Sequence, residues 1–152
     1  MHNGKFKVFH KYMHTSKMTA HKTHEDLEKV GLYRGQPPLL FALWKQDGLS
    51  GSELSKTLGI KPSTVAKMVK RLKNAGFVTT MQDPGDSRIS NVYLTDKGRL
   101  VESDVNCIYE ELNQTIFRDF DQKQMKLLEE LLDKMQANIL FAKSVGRGEK
   151  NE

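Results

Sequence analysis

Residues 50–76 carry the start and stop signals of two short helices placed one directly after the other, and few folds accept that order. Ser50 stands at an N-cap position with Glu53 three residues on, the pair that closes a capping box, and Leu49 can staple onto Leu54. Gly59 ends this helix. Pro62, tolerated in a helix only in its first turn, opens the next, which runs through Leu72 and stops with Gly76 at C′. Two capped helices joined by the tight turn Leu58-Gly59-Ile60 predict a helix-turn-helix.

The charge of the chain is concentrated on that pair. Lys56, Lys61, Lys67, Lys70, Arg71 and Lys73 stand against the single acid Glu53, a local net charge of +5 that equals the net charge of all 152 residues, so the remainder sums to zero. Val65, Val69 and Leu72 form the inward stripe of the second helix, which turns Ser63, Lys67, Lys70, Arg71 and Asn74 outward. A polyanion is the natural partner of such a face, and duplex DNA is the commonest one for two helices so arranged.

The length suits one domain with its own core, or one domain plus a segment that completes its burial in a partner chain. No apolar run approaches the roughly 18 to 20 residues that span a bilayer, and the N-terminus lacks an apolar secretion core. With a single cysteine, Cys107, there is no internal disulfide, and we expect a cytoplasmic protein.

Before the helix pair, Phe6, Phe9 and Met13 fall at helical spacing, and Ala20 and Leu27 continue the stripe; the Thr- and Ser-rich stretch 14–23 is expected to bend or fray. A helix over 39–46 starts at Pro37-Pro38 and closes at Asp47-Gly48. After Gly76 the period becomes extended: residues 77–81 and 89–94 flank a turn-rich tip, 83–88, and predict a two-stranded β-hairpin. Thr95-Asp96 then caps a long helix with Val101, Val105, Ile108, Leu112 and Ile116 on one face, and Asp121 with Gln124 opens the last one. Residues 143–152 are polar and predicted to be a disordered tail.

This order, with Gly35-Gln36-Pro37-Pro38, Asp47-Gly48-Leu49-Ser50, Pro62-Ser63-Thr64-Val65, Asp83-x-x-Asp86-x-Arg88 and Leu94-Thr95-Asp96-x-Gly98, resembles the MarR family of bacterial transcriptional regulators over roughly residues 31 to 100. The resemblance implies a mainly α fold with a small β-hairpin wing. Such a winged helix-turn-helix dimerises through its N- and C-terminal helices, binds palindromic operators and is often released by a small effector. We accordingly expect a DNA-binding lobe over 35–94, dimerisation helices over 1–34 and 95–142, and a repressor acting as a homodimer.

Within the lobe, Ser63 and Thr64 near the helix N-terminus are small enough to reach base edges. Lys61 stands where an N-cap belongs and precedes Pro62, so the first amides of the helix are open to phosphate. Lys67, Lys70 and Arg71 can read guanine or grip the backbone, and Ser52 and Lys56 are phosphate-contact candidates. Arg88 at the hairpin tip suits a narrow minor groove, with Asp86 placed to hold its guanidinium or merely to pair with it on the surface.

Phe6, Phe9, Tyr33, Leu40, Trp44 and Tyr109 form an aromatic and apolar set that serves core and interface. By resemblance, some of them line a crevice for a small aromatic or phenolic effector. His10, His14, His21 and His24 sit at helical spacing beside Glu25 and Asp26, the basis of an alternative metal-responsive reading; their default role is as exposed polar residues. We expect no metal and no cofactor. Cys107 is read as a small packed residue whose pKa Glu110 and Glu111 raise. No nucleophile elbow, phosphate loop or apolar carboxylate pair points to an enzyme. The other alternative is a dimeric winged-helix module whose basic face docks an acidic protein.

Overall fold

The computed structural model describes residues 3–33 and 35–148. Among the described residues, six helices and three strands follow in the order α1 (Asn3–Lys29), α2 (Pro37–Lys45), β1 (Leu49–Ser50), α3 (Gly51–Leu58), α4 (Pro62–Asn74), β2 (Val78–Gln82), β3 (Ser90–Leu94), α5 (Asp96–Ile116) and α6 (Gln122–Gly148). The chain forms two compact units, Met1–Asn113 and Gln114–Glu152.

The expected boundaries of the helix pair hold. Ser50 Oγ accepts from the Glu53 amide while Glu53 Oε2 accepts from the Ser50 amide, closing the capping box of α3. Gly59 leaves α3 in the left-handed region at φ 62°, which an L side chain adopts only under strain. Ser55 Oγ donates to Ile60 O at 2.6 Å and fastens the turn.

The wing departs from a plain hairpin. Strands β2 and β3 pair antiparallel from Val78↔Leu94 to Gln82↔Ser90, and β1 adds on the far side of β3 through Leu49↔Val92 and Ser50↔Asn91. Leu49 therefore does more than staple a helix: it is buried as a strand residue, and β3 becomes the centre of a three-stranded sheet. Isolated two-stranded hairpins are marginal in water, and the third strand relieves that.

The first unit has one apolar core. Leu27 of α1, Leu39 and Leu43 of α2, Leu54 of α3, Val65 and Leu72 of α4, Phe77, and Val101 and Val105 of α5 meet in it. Gly98 sits where α5 crosses the start of β2. A Cβ there would lie 2.0 Å from Phe77 O, so only glycine permits the approach.

Helix α1 is unbroken where a bend or fray was expected, with Thr23 Oγ1 donating to Thr19 O at 2.7 Å inside the helix. Its stripe divides: Leu27 is core, whereas Phe6, Phe9 and Met13 are exposed. In the second unit the capping box of Asp121 and Gln124 is formed and Phe117 stacks edge-to-face on Phe120, but Leu131, Leu132, Met135 and Ile139 of α6 are exposed. Helix α6 also continues through Gly148, past the point where disorder was expected at Lys143. No proline interrupts it, and lysine, arginine and valine are all tolerated in a helix. Residues 149–152 lie outside the described residues.

Candidate nucleic-acid interface

Three local features build the reading face. Pro62 is the first residue of α4 and Lys61 its N-cap, with no side-chain cap. Thr64 and Val65 donate their amides to Lys61 O, so of the leading amides it is the Ser63 N–H that stays open. Ser63, Thr64, Lys67, Lys70 and Arg71 are exposed along α4, with Ser52 and Lys56 exposed on α3. The one acid in the block does not oppose them. Glu53 is tied back to Ser50, and those hydrogen bonds hold its carboxyl below the usual range.

The β2–β3 loop is organised by Asp83, which the sequence places in the Asp83-x-x-Asp86-x-Arg88 motif without a role of its own. Asp83 Oδ1 accepts from the Gly85 and Asp86 amides at 2.8 and 3.2 Å, and Asn91 Nδ2 donates to Oδ2 at 3.2 Å. The Gly85 and Asp86 amides, with Asn91, lower its pKa. The Asp-Pro-Gly-Asp string carries the signal, because aspartate ahead of proline and glycine caps its own turn. Asp86 was expected to hold the Arg88 guanidinium. Instead its Oδ1 accepts from the Arg88 backbone amide at 2.9 Å, an Asx-type bond that presents Arg88 at the tip without pairing its side chain to Asp86.

A crevice of about 270 Å³ lies between α1, the start of α2 and α5, lined by Thr19, Thr23, His24, Pro37, Pro38, Tyr109 and Leu112 among others. The Nδ1 atom of His24 is buried there with no hydrogen-bond partner, and burial raises the Tyr109 hydroxyl pKa. Of the six residues considered for an effector site, Tyr109 alone lines this crevice. Leu40 is fully buried in the core. Trp44 is committed to the scaffold, its Nε1 donating to Gly98 O at 2.8 Å, with Phe41 stacked edge-to-face between it and Tyr109. Tyr33 is exposed beside the His24 ring, and Phe6 and Phe9 are exposed on α1.

Two of the histidines pair along α1, His21 with Glu25 and His24 with Glu28, each at 3.5 Å. Among the described residues, no three His, Cys, Asp or Glu side chains gather as a metal site. Cys107 is exposed rather than packed, and the Glu111 carboxylate beside its thiol raises the pKa.

Residues 32–90, from the end of the α1 turn to the first residue of β3, match the model of the MarR family. A MarR transcriptional regulator from Methanosarcina mazei superposes with a TM-score of 0.73 at 28% identity, over 89% of this chain and 97% of that one. Residues 32–90 thus carry the MarR-family domain. The proteins that share this domain are named as transcriptional regulators. The HTH-type transcriptional regulator TtmR of Methylorubrum extorquens is 34% identical over 70 residues, which span 46% of this chain and 36% of TtmR, about a third of that relative's length. BpsR of Bordetella bronchiseptica, whose DNA binding is regulated by 6-hydroxynicotinic acid, superposes with a TM-score of 0.71 at 25% identity, over 86% of this chain and 98% of BpsR. The segment matched by the MarR model contains every one of the proposed DNA-contact residues, from Ser52 to Arg88. Among the described residues, no helix is long and apolar enough to cross a membrane.

Proposed function

We propose that the chain is a cytoplasmic repressor that binds a pseudo-palindromic operator as a homodimer and leaves it when a small aromatic or phenolic effector enters the crevice beside His24 and Tyr109. The observation that carries this reading is the acid-free basic face of α4: Lys67, Lys70 and Arg71 are exposed together while Glu53 is tied back to Ser50. In this reading Ser63, Thr64, Lys67 and Arg71 read the major groove, Ser52, Lys56, Lys61 and Lys70 bind phosphate, and Arg88 enters the minor groove, its loop held by Asp86.

Dimer formation is supported by apolar surface that one chain leaves uncovered, Phe6, Phe9 and Met13 on α1 and Leu131, Met135 and Ile139 on α6. Release by an effector is supported by a cavity with apolar walls and an unpaired buried imidazole nitrogen.

Selection of bound sequences from a random duplex pool, followed by shift assays on the winner, tests the reading. An enriched palindrome bound far more tightly than random duplex is expected. Enrichment of no sequence, with binding to an acidic protein instead, would sink it.

A further inference from the structure

A helix ends in carbonyls that no amide of its own last turn can reach, and at the end of α4 two such groups are capped from the start of α5. The Ala75 carbonyl, at the C-cap, accepts from Lys97 Nζ at 2.8 Å, and the Gly76 carbonyl accepts from Thr95 Oγ1 at 2.6 Å. The Thr95 amide adds a bond to Phe77 O at 3.0 Å. The Lys97 ammonium also stands 4.3 Å above the Phe77 ring. We propose that Lys97, with Thr95, is a positioning residue that fixes the direction of α4 and thereby sets sequence discrimination without touching DNA; the proposal rests on the DNA-binding reading above.

The clamp is well built for that task. A cation is favoured at the carbonyl end of a helix, and an aromatic face adds attraction to it. The ring is a firm seat: Phe77 is fully buried in the core, and its carbonyl abuts Gly98 of α5. The ammonium is therefore held from two sides, by a helix end and by a ring that cannot turn away.

Leverage makes the far end of α4 matter. At about 1.5 Å per residue, Ser63 lies roughly 18 Å from Ala75, so a tilt of about 5° at the clamp moves Ser63 by about 1.5 Å. Hydrogen-bond lengths vary over only about 0.5 Å, so short side chains such as Ser63 and Thr64 would lose base edges. Lys67 and Lys70 would still reach phosphate on their flexible stems, and counterion release follows charge rather than alignment. Loosening the clamp should thus cost specific binding and spare non-specific binding.

The test compares the full chain on two duplexes, the sequence that the wild type enriches from a random pool and a random-sequence duplex, across a salt series. Lys97→Met is expected to weaken binding to the enriched duplex about tenfold, the worth of one misplaced base contact. Its affinity for random duplex and its log–log salt slope should match the wild type. Lys97→Arg, which can still reach the carbonyl and stack on the ring, should restore discrimination, and Lys45→Met, at the end of α2, should leave it unchanged. Unchanged affinity of Lys97→Met for the enriched duplex overturns the clamp while leaving DNA binding intact. So does an equal loss on both duplexes, whether with a slope lower by about 0.9, the mark of a phosphate contact, or with a lowered melting temperature, the mark of a merely structural role. A wild-type chain that enriches no sequence overturns the DNA reading itself.

Discussion

Asp47 and Arg99 meet at 2.8 Å across 52 residues of sequence, joining the turn after α2 to the first turn of α5. The carboxylate has further duties: Oδ1 accepts from the Leu94 amide at 2.9 Å and from the Gly48 amide at 3.1 Å, and Arg99 Nη2 donates to Leu94 O at 3.1 Å. The end of β3 is thus held on both backbone groups of Leu94, and the wing is anchored to α2 and α5 together.

The two partners should not be equivalent. Arg99→Ala removes the Nη2 bond to Leu94 O and a half-exposed ion pair, the pair worth about 0 to 1 kcal/mol. Asp47→Ala also strips the Leu94 amide of its acceptor, and should cost about 1 to 3 kcal/mol. Urea unfolding of both variants checks the order, and equal losses would contradict it.

Gly98→Ala should be the most damaging small substitution in the lobe. The new methyl would stand 2.0 Å from Phe77 O, a backbone atom that cannot rotate away, so α5 or β2 must shift. The Trp44 to Gly98 O bond and the Thr95 Oγ1 cap on the Gly98 amide would shift with it. A loss of about 3 kcal/mol or more is expected. A melting temperature within a degree or two of wild type would contradict this packing.

Much of the fold is legible because its signals are local. Ser50 with Glu53, Gly59, Pro62 and Gly76 each act within one turn of chain, and their boundaries reappear in the structure. Strand β1 was not legible: two residues have no period, and what makes Leu49 a strand residue is its pairing with Val92, 43 positions on (92 − 49). The site divides in the same way. Exposure of Ser63, Lys67 and Arg71 follows from helical spacing, whereas the Asp86 bond to a backbone amide, the Lys73 bond to Thr80 and the burial of Leu40 depend on neighbours that the local pattern does not name.

The Ser50–Glu53 cap predicts a pH dependence. Hydrogen bonds from Ser50 lower the folded-state pKa of Glu53, so the ionised cap stabilises α3 above the unfolded value of about 4.3. That contribution is lost as pH falls through the folded value. Glu53→Gln should therefore melt below wild type at pH 6 and approach it under acid conditions, below about pH 4. A gap that stays constant across this range would mean that the carboxylate charge plays no part.

Arg88→Ala should weaken operator binding by about 1 to 3 kcal/mol without altering thermal stability. The loop does not depend on its guanidinium, because Asp83 and the Asp86 to Arg88 backbone bond set its shape. Asp86→Ala should show a smaller affinity loss, since it loosens the presentation of Arg88 rather than removing it. Unchanged affinity in Arg88→Ala, at unchanged melting temperature, would take Arg88 off the DNA surface.

The last prediction concerns how two lobes share one operator. A twofold dimer that reads successive major grooves on one side of a duplex must place its recognition helices about one helical turn apart, roughly 34 to 36 Å. Half-site centres about 10 base pairs apart follow, each read by Ser63, Thr64, Lys67 and Arg71, with Arg88 in the flanking minor grooves. Inserting about five base pairs between the half-sites turns one of them to the opposite face of the duplex, and a shift assay should then show most of the specific affinity gone. Insertion of about ten base pairs restores the face but stretches the separation, and should recover little unless the dimer is pliant. A five-pair insertion that binds as well as the parent site would mean that each lobe reads DNA on its own, uncoupled from dimer geometry.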